Sequence, residues 1–348
     1  MKVYMVSWNG ASPVGGLERV VYYQMEILAK KYDINLITLD DVYNRGFLKN
    51  LSRFRKNPVV NAITTSIYVR KLKHKGDIVI THGYNAPFVR ADYLFLHGNW
   101  VGYENAIGVS RFSIKRIMGL FEGIAGHNAK RMVAVTEYAK QQWIKFYRVN
   151  KNKICVLNNC VDTELFKPLE RPETETINIL FCGRLGHGKG LEKLLELANT
   201  IEKGEKYKLI IATPNDWNVE LFKGLKNTEI HIGVTIDKLN TFYNSGNIFF
   251  FPSLYEGFEM VTTESLSCGI PVIGSKVGAI RELYSKGFEG VELIENTDVD
   301  HILSQIYNLA EKYKTIDKRM ELHNRIKDIA GIEVYNKQLE EIVTQRKE

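Results

Sequence analysis

The feature that most limits how this chain can fold is an alternation of short apolar runs with amphipathic helical stretches, and it occurs twice. In the first series the runs are residues 1–8, INLITL, DIVITH, YLFLH and MVAVT. Between the first two, LERVVYYQMEILAKK sets Val20, Val21, Met25 and Leu28 at helical spacing. Strand and helix in alternation is the pattern of a parallel sheet wound with helices. The pattern breaks over 166–176, a polar stretch with two prolines that reads as a linker, and then restarts as NILFCG, a helix from Leu191, KLIIA, IHIG, IFFFPS and PVIGS. At 348 residues the chain also exceeds the roughly 250–300 residues at which one core stops growing. The expectation is therefore α/β, with two Rossmann-like domains facing each other across a cleft. The boundaries expected are 1–165 and 166–329, with a C-terminal helix at about 330–348 packing back on the first domain.

Two loops carry residues suited to chemistry. FCGRLGHGKGLEKLLE runs from a strand through four glycines into an amphipathic helix, so that free backbone amides and a helix N-terminus converge with Arg184 and Lys189. That combination suits a diphosphate. Its GRLGHGK spacing also begins a P-loop, but position 190 is Gly where that motif needs a hydroxyl for magnesium, which argues against a P-loop NTPase. A merely tight glycine turn stays an alternative. The second loop, FPSLYEGFEMVTTESLSCGIPVIGS, separates Glu256 from Glu264 by seven residues, the first after an apolar strand and the second within the following helix. A solvated pair of glutamates is the alternative there. His97 follows the run YLFL at a strand's carboxyl end, where open sheets bind ligands; a core histidine is its alternative. Trp100 and Tyr103 are expected to shape an entrance beside it.

Charge is unevenly distributed. Residues 1–165 hold 24 Lys and Arg against 12 Asp and Glu, whereas the remainder holds 23 against 28. Between Asp41 and Asp77 there is no acid, but there are nine Lys or Arg, among them Arg53, Arg55 and Lys56. An asymmetry of this kind points to an anionic partner. Tyr43–Lys56 sets Phe47, Leu48, Leu51 and Phe54 on one helical face, and Ser110–Gly123 has a similar pattern. Each stripe faces either the core or an anionic membrane surface, where apolar burial and lipid attraction add. No nucleic-acid module is present, so nucleic acid is not expected as a partner.

No run approaches about 18 apolar residues, so no spanning helix is expected. MKVYMVSWNG enters strand-like residues directly, without the basic and apolar regions of a secretory leader, so a location inside the cell is expected. Cys155, Cys160, Cys182 and Cys268 form no CxxC pair and have no histidine at ligand spacing, which argues against a disulfide framework and a zinc site. Asp298-Val299-Asp300 spells a metal-binding DxD, but it precedes the helical pattern DHILSQIYNLAEK and reads as a cap.

In chain order, GGLERVVYYQMEILAKKYDINLITL, YLFLHGNW, MVAVTEYAKQ, VLNNCVDTELFKP, LFCGRLGHGKGLEKLLE and YEGFEMVTTESLSCGIPVIGSKVGAIREL resemble glycosyltransferases of family 4, retaining, nucleotide-sugar-dependent enzymes with the two-domain GT-B fold. The resemblance implies that Gly15 and Gly16 bring backbone amides near the donor phosphates and that Arg184 and Lys189 neutralise the diphosphate leaving group. It implies Glu264 at the ribose hydroxyls, Glu256 at the transferred sugar, and His97 near the reacting carbon. Ile232, Gly233 and Val234 would hold the base, and Gly257, Phe258, Glu259 and Met260 would complete the donor site. Glu259 stands where the family usually has Gly, as does Cys160, and Thr262 and Thr263 occupy positions more often apolar.

The activity implied is retaining transfer of a hexose to a saccharide acceptor, expected to be lipid-linked, in bacterial surface polysaccharide or lipopolysaccharide synthesis. Arg53, Arg55 and Lys56 would make membrane contact, giving a cytoplasmic protein peripheral on the inner face of the plasma membrane. The nucleotide diphosphate sugar is a co-substrate, and with Arg184 and Lys189 in place neither a cofactor nor a metal is required. A GT-B nucleotide-sugar epimerase and a non-catalytic nucleotide-sugar-binding protein are the alternatives.

Overall fold

The computed structural model describes residues 2–44, 46–108, 116–171, 174–295 and 298–344, the side chains at 46 and 47 excepted. The chain forms two compact units, Met1–Asn159 together with Asn336–Glu348, and Cys160–Tyr335.

In the first unit, β1 (Lys2–Val6), β2 (Asp33–Ile37), β3 (Ile78–His82), β4 (Tyr93–Leu96), β5 (Arg131–Ala134) and β6 (Ile154–Val156) form one parallel sheet. Its order is β2-β1-β3-β4-β5-β6, with Val3 in register with Ile34 on one side and Ile78 on the other. Every residue of β3 and β4 is buried, as sheets covered on both faces require. The Leu17–Leu28 helix buries Val20, Val21, Ile27 and Leu28. Asn57 caps the Pro58–Leu72 helix by accepting from the amides of Val59 at 2.9 Å and Val60 at 3.3 Å, and Pro58, lacking an amide, fits its first position. The part of the final helix, Ile332–Thr344, that belongs to this unit buries Leu339 and Val343 at a spacing of four. Its carbonyl at Val343 accepts from the Tyr93 hydroxyl at 3.2 Å, and Glu340 pairs with Lys31 at 2.5 Å.

In the second unit, β7 (Ile177–Cys182), β8 (Tyr207–Thr213), β9 (Thr228–Ile232), β10 (Ile248–Phe251), β11 (Val272–Gly274) and β12 (Val291–Leu293) form a parallel sheet in the order β12-β11-β10-β7-β8-β9. Counted within the unit this is the 3-2-1-4-5-6 order of dinucleotide-binding sheets. Phe249, Phe250 and Phe251 are wholly buried, with the rings of Phe249 and Phe251 stacked 5.8 Å apart.

The passage between units falls at 159–160, ahead of the polar 166–176 stretch expected as a linker. The reason is packing: Phe166 is 1% exposed against Tyr243, and the Leu169 amide donates to Asn244 Oδ1 at 2.8 Å. The apolar stripe of Tyr43–Lys56 also turns largely inward. Residues Gly46–Phe54 form a 3-10 helix in which Leu48 is buried in the first core and Leu51 packs against it, leaving Phe54 39% exposed. The Phe47 side chain lies outside the described residues, as do 110–115 of the second stripe. Beyond them, Met118 and Phe121 are buried while Ile117 and Leu120 are exposed. No described helix is long and apolar enough to cross a membrane.

Strand order reverses between β1 and β3 in the first sheet and between β7 and β10 in the second. Loops leaving adjacent strands at such a point diverge to opposite faces and leave a crevice beyond the carboxyl ends, which is where open α/β sheets bind ligands.

Candidate active site

At the second unit's reversal, the loop after β7 meets the loop after β10. His187–Lys189 forms one turn of 3-10 helix, and Gly190 follows in the left-handed region with φ 77° before the Leu191–Ile201 helix begins. A Cβ at Gly190 would lie 2.1 Å from the carbonyl oxygen of Pro252, so close approach of the two loops requires glycine. The approach is held by the Gly188 carbonyl, which accepts from the Leu254 amide at 3.0 Å. It brings Lys189 Nζ onto Glu256 Oε1 as an ion pair, with Ser253 Oγ donating to the same oxygen at 2.7 Å. Arg184, exposed on the β7 loop, makes no ion pair with any described residue.

Glu259 explains itself through Gly278. Its Oε2 accepts from the Ala279 amide and its Oε1 from the Ile280 amide, both at 2.9 Å, and Oε1 also accepts from Thr262 Oγ1 at 3.0 Å. The carboxyl thus caps the Gly278–Ser285 helix, and a Cβ at Gly278 would fall 1.8 Å from Oε2. Burial, then the neighbouring Glu256 charge, pushes its pKa up to about 7. Glu264 is 2% exposed in the Met260–Ser267 helix and accepts from the Tyr243 hydroxyl at 2.8 Å. Gly257 and Met260 are buried and Phe258 is half-buried. Ile232 ends the edge strand β9, 54% exposed, and leads through Gly233 at φ 69° to half-buried Val234. Asp298 caps the Val299–Lys312 helix through the His301 amide at 3.3 Å.

At the first unit's reversal a cavity of about 350 Å³ opens between Trp8 and Asn9 after β1, His82 to Asn85 at the end of β3, and His97 to Trp100 after β4. His82 and His97 stack with ring centroids 5.1 Å apart, and His82 Nδ1 lies 2.8 Å from His97 Nε2. His82 Nε2 is buried without a hydrogen-bond partner. A bare ring nitrogen costs less there than an orphaned N–H, so the favoured tautomer puts the proton on His82 Nδ1, donating to His97 Nε2. His97 then carries its own proton on Nδ1. Burial holds both rings neutral, His97 at a pKa of about 4 and His82 well below the ordinary value. Glu122 closes the cavity. Its Oε2 accepts from the Trp100 amide at 2.8 Å and from the Tyr147 hydroxyl, while burial pushes its pKa up to about 8.

Gly15, at φ 99°, and Gly16 are exposed between β1 and the first helix, with open space around Gly16. Arg53, Arg55 and Lys56 are exposed, and Arg55 pairs with Asp40 at 2.5 Å. The sequence reading missed His82, Glu122 and Tyr147. His82 also follows an apolar strand at its carboxyl end, the same signal that singled out His97.

Two parallel Rossmann-like sheets in one chain define a GT-B protein. Residues 14–165 match the pattern described as Glycosyltransferase Family 4 and residues 176–312 the one described as Glycosyl transferases group 1. The chain is 22% identical over 359 residues to a phosphatidylinositol N-acetylglucosaminyltransferase subunit of Arabidopsis thaliana, covering 94% of this chain and 78% of that protein. It is 26% identical over 334 residues to UDP-Gal:alpha-D-GlcNAc-diphosphoundecaprenol alpha-1,3-galactosyltransferase of Escherichia coli, covering 86% and 85%. Its fold matches that of HepE of Anabaena, solved in complex with UDP-glucose, with a TM-score of 0.71 at 16% identity over 99% and 100% of the two chains. The chain belongs to the group 1, family 4 glycosyltransferases, enzymes that transfer sugar from a nucleotide donor.

Proposed function

We propose that the protein is a retaining hexosyltransferase that moves a hexose from a nucleotide diphosphate sugar to a lipid-linked saccharide. The observation that carries the donor half is the Lys189–Glu256 pair at the reversal of the second sheet, with exposed Arg184 on the same loop as Lys189. An ammonium has three donors, so Lys189 can keep Glu256 and still reach phosphate oxygens. Together with Arg184 it stabilises the charge that builds on the departing diphosphate, without a metal. Glu256 retains Oε2 for a sugar hydroxyl. In this reading Glu264 takes the ribose, the 232–234 turn the base, and Gly257 to Met260 the remaining donor contacts.

The 350 Å³ cavity supports an acceptor role for the first unit, with His97 Nδ1–H and the neutral carboxyl of Glu122 as donors toward a saccharide. Both relatives named above act, by their names, on lipids or lipid-linked sugars, which favours a lipid-linked acceptor here, as in surface polysaccharide or lipopolysaccharide synthesis. The excess of cations over acids in residues 1–165, with Arg53, Arg55 and Lys56 exposed, favours work at the inner face of the plasma membrane.

Thermal unfolding with UDP-, GDP- and ADP-hexoses tests the donor, since a ligand at 100 times its Kd stabilises by about 2.7 kcal/mol. Turnover of the stabilising donor with and without a prenyl-diphosphate saccharide then tests transfer. Equal turnover without acceptor would favour an epimerase, and stabilisation without turnover under any condition would favour a binding protein.

A further inference from the structure

A second cavity in the first unit, about 590 Å³, opens beyond the carboxyl ends of β1 and β2. Trp8 and Asn9 form one wall, Thr38 and Asp40 another, and Arg53, Arg55 and Lys56 the third. The Trp8 wall is preformed: its indole N–H donates to the Asn85 carbonyl at 2.9 Å and to Thr65 Oγ1 at 3.2 Å, and its ring meets Tyr84 edge-on at 5.3 Å. Asp40 is the single acid on these walls and is committed to Arg55 at 2.5 Å. Arg53 and Lys56 have no carboxylate partner among the described residues, so the walls carry two uncompensated positive charges.

A third cavity lies at the amino ends of β3, β4 and β5. It is almost as large, about 570 Å³, but there Asp92 takes Lys130 at 2.6 Å and Lys73 at 3.3 Å. Lys75 and Arg131 on that cavity's walls likewise have no carboxylate partner among the described residues, so what sets Arg53 and Lys56 apart is their place on the side where parallel sheets bind ligands. Trp8 and Asn9 also line the His97 cavity, so the two spaces share a wall. Guanidinium and ammonium groups around a site of this charge match a phosphoryl group, which arginine engages with paired N–H donors.

We propose that this basic cavity is the subsite for the phosphoryl group of the acceptor, a phosphate or diphosphate ester next to the saccharide that enters the His97 cavity. The assignment rests on the glycosyl-transfer reading above and gives its acceptor a defined anionic end. That end belongs either to a lipid-linked diphosphate or to a soluble sugar phosphate.

The test uses the full chain with UDP at saturation, which fills the donor site, and titrates inorganic pyrophosphate, farnesyl diphosphate and farnesol. Binding of both diphosphates, weakened at least tenfold in R53Q/K56Q while the Kd for UDP stays within twofold, is the expected result. Farnesyl diphosphate at least tenfold tighter than pyrophosphate assigns the subsite to a lipid-linked acceptor; equal affinities assign it to a soluble phosphorylated one. Pyrophosphate and farnesyl diphosphate affinities unchanged by R53Q/K56Q would overturn the proposal. So would a variant defect confined to vesicles containing 30% phosphatidylglycerol, because the charges would then serve bilayer attraction alone. Failure of the wild type to bind UDP, GDP or ADP would count against the donor reading, whereas diphosphate binding sensitive to R53Q/K56Q would still support the subsite.

Discussion

Glu122 gives a pH dependence of stability whose sign follows from its surroundings. Its carboxyl is buried in the first unit, and its pKa rises from the ordinary 4.5 to about 8 because burial outweighs the hydrogen bonds from Tyr147 and the Trp100 amide. Between those values the folded chain keeps a proton that the unfolded chain releases, so stability falls as pH rises and the loss is complete above pH 8. At 1.36 kcal/mol per unit, the three units from pH 5 to pH 8 correspond to a loss on the order of 4 kcal/mol. Glu122→Gln keeps an acceptor for both partners but has no proton to lose. The assay is urea unfolding of both proteins at half-unit steps from pH 5 to 8, followed by tryptophan fluorescence, to which the first unit contributes Trp8, Trp100 and Trp143. The variant is expected to gain on the wild type steadily as pH rises. Taking the difference removes His82, His97 and Glu259, which titrate in both proteins. A difference that stays flat within about 0.5 kcal/mol would show that Glu122 is ionised throughout and would refute the reasoning.

Other outcomes follow from the same geometry. His82→Phe removes the donor that fixes the His97 tautomer, so kcat is expected to drop at least tenfold with little change in donor KM; an unchanged kcat would leave the histidine pair a packing feature. Glu264→Ala is expected to weaken binding of the free nucleotide diphosphate more than Tyr243→Phe does, and equal affinities in the two variants would remove the ribose contact, since both lose the same internal hydrogen bond. Gly190→Ala forces a side chain against the Pro252 carbonyl, so both stability and donor affinity are expected to fall; normal affinity would mean that the 189–256 pair tolerates loop displacement. Turnover is expected to survive EDTA because Arg184 and Lys189 supply the positive charge, and complete loss restored by manganese would return Asp298 and Asp300 to consideration.

What could be read from the sequence follows the physics of each element. Strands such as β4 and β10 are buried on both faces, so their residues are apolar without interruption and stand out. The three-residue edge strands β6 and β12 are too short to show any period, and neither was foreseen. Gly190 is legible as one of the four glycines of its loop and as the residue that argues against a P-loop; its reason, the Pro252 carbonyl, lies 62 positions away. The Lys189–Glu256 pair is likewise a product of strand order rather than local pattern. Glu259 stood out as a departure from the family, but its solution, the amides of Ala279 and Ile280, depends on a helix placed by another strand. Glu122 gave no signal, because a lone glutamate in a helical stretch looks solvated until Tyr147 packs over it.

The central claim is that Lys189, set by Gly190 and paired with Glu256, stabilises the leaving diphosphate in the transition state. The most direct measurement is kcat for Lys189→Ala on the nucleotide hexose that the wild type turns over fastest, with thermal unfolding run in parallel to establish that the variant is folded. Removing one preorganised charge of this kind costs about 2–4 kcal/mol, so a folded variant is expected to lose roughly 30- to 1,000-fold in kcat. A folded Lys189→Ala enzyme with kcat within threefold of wild type would contradict the account.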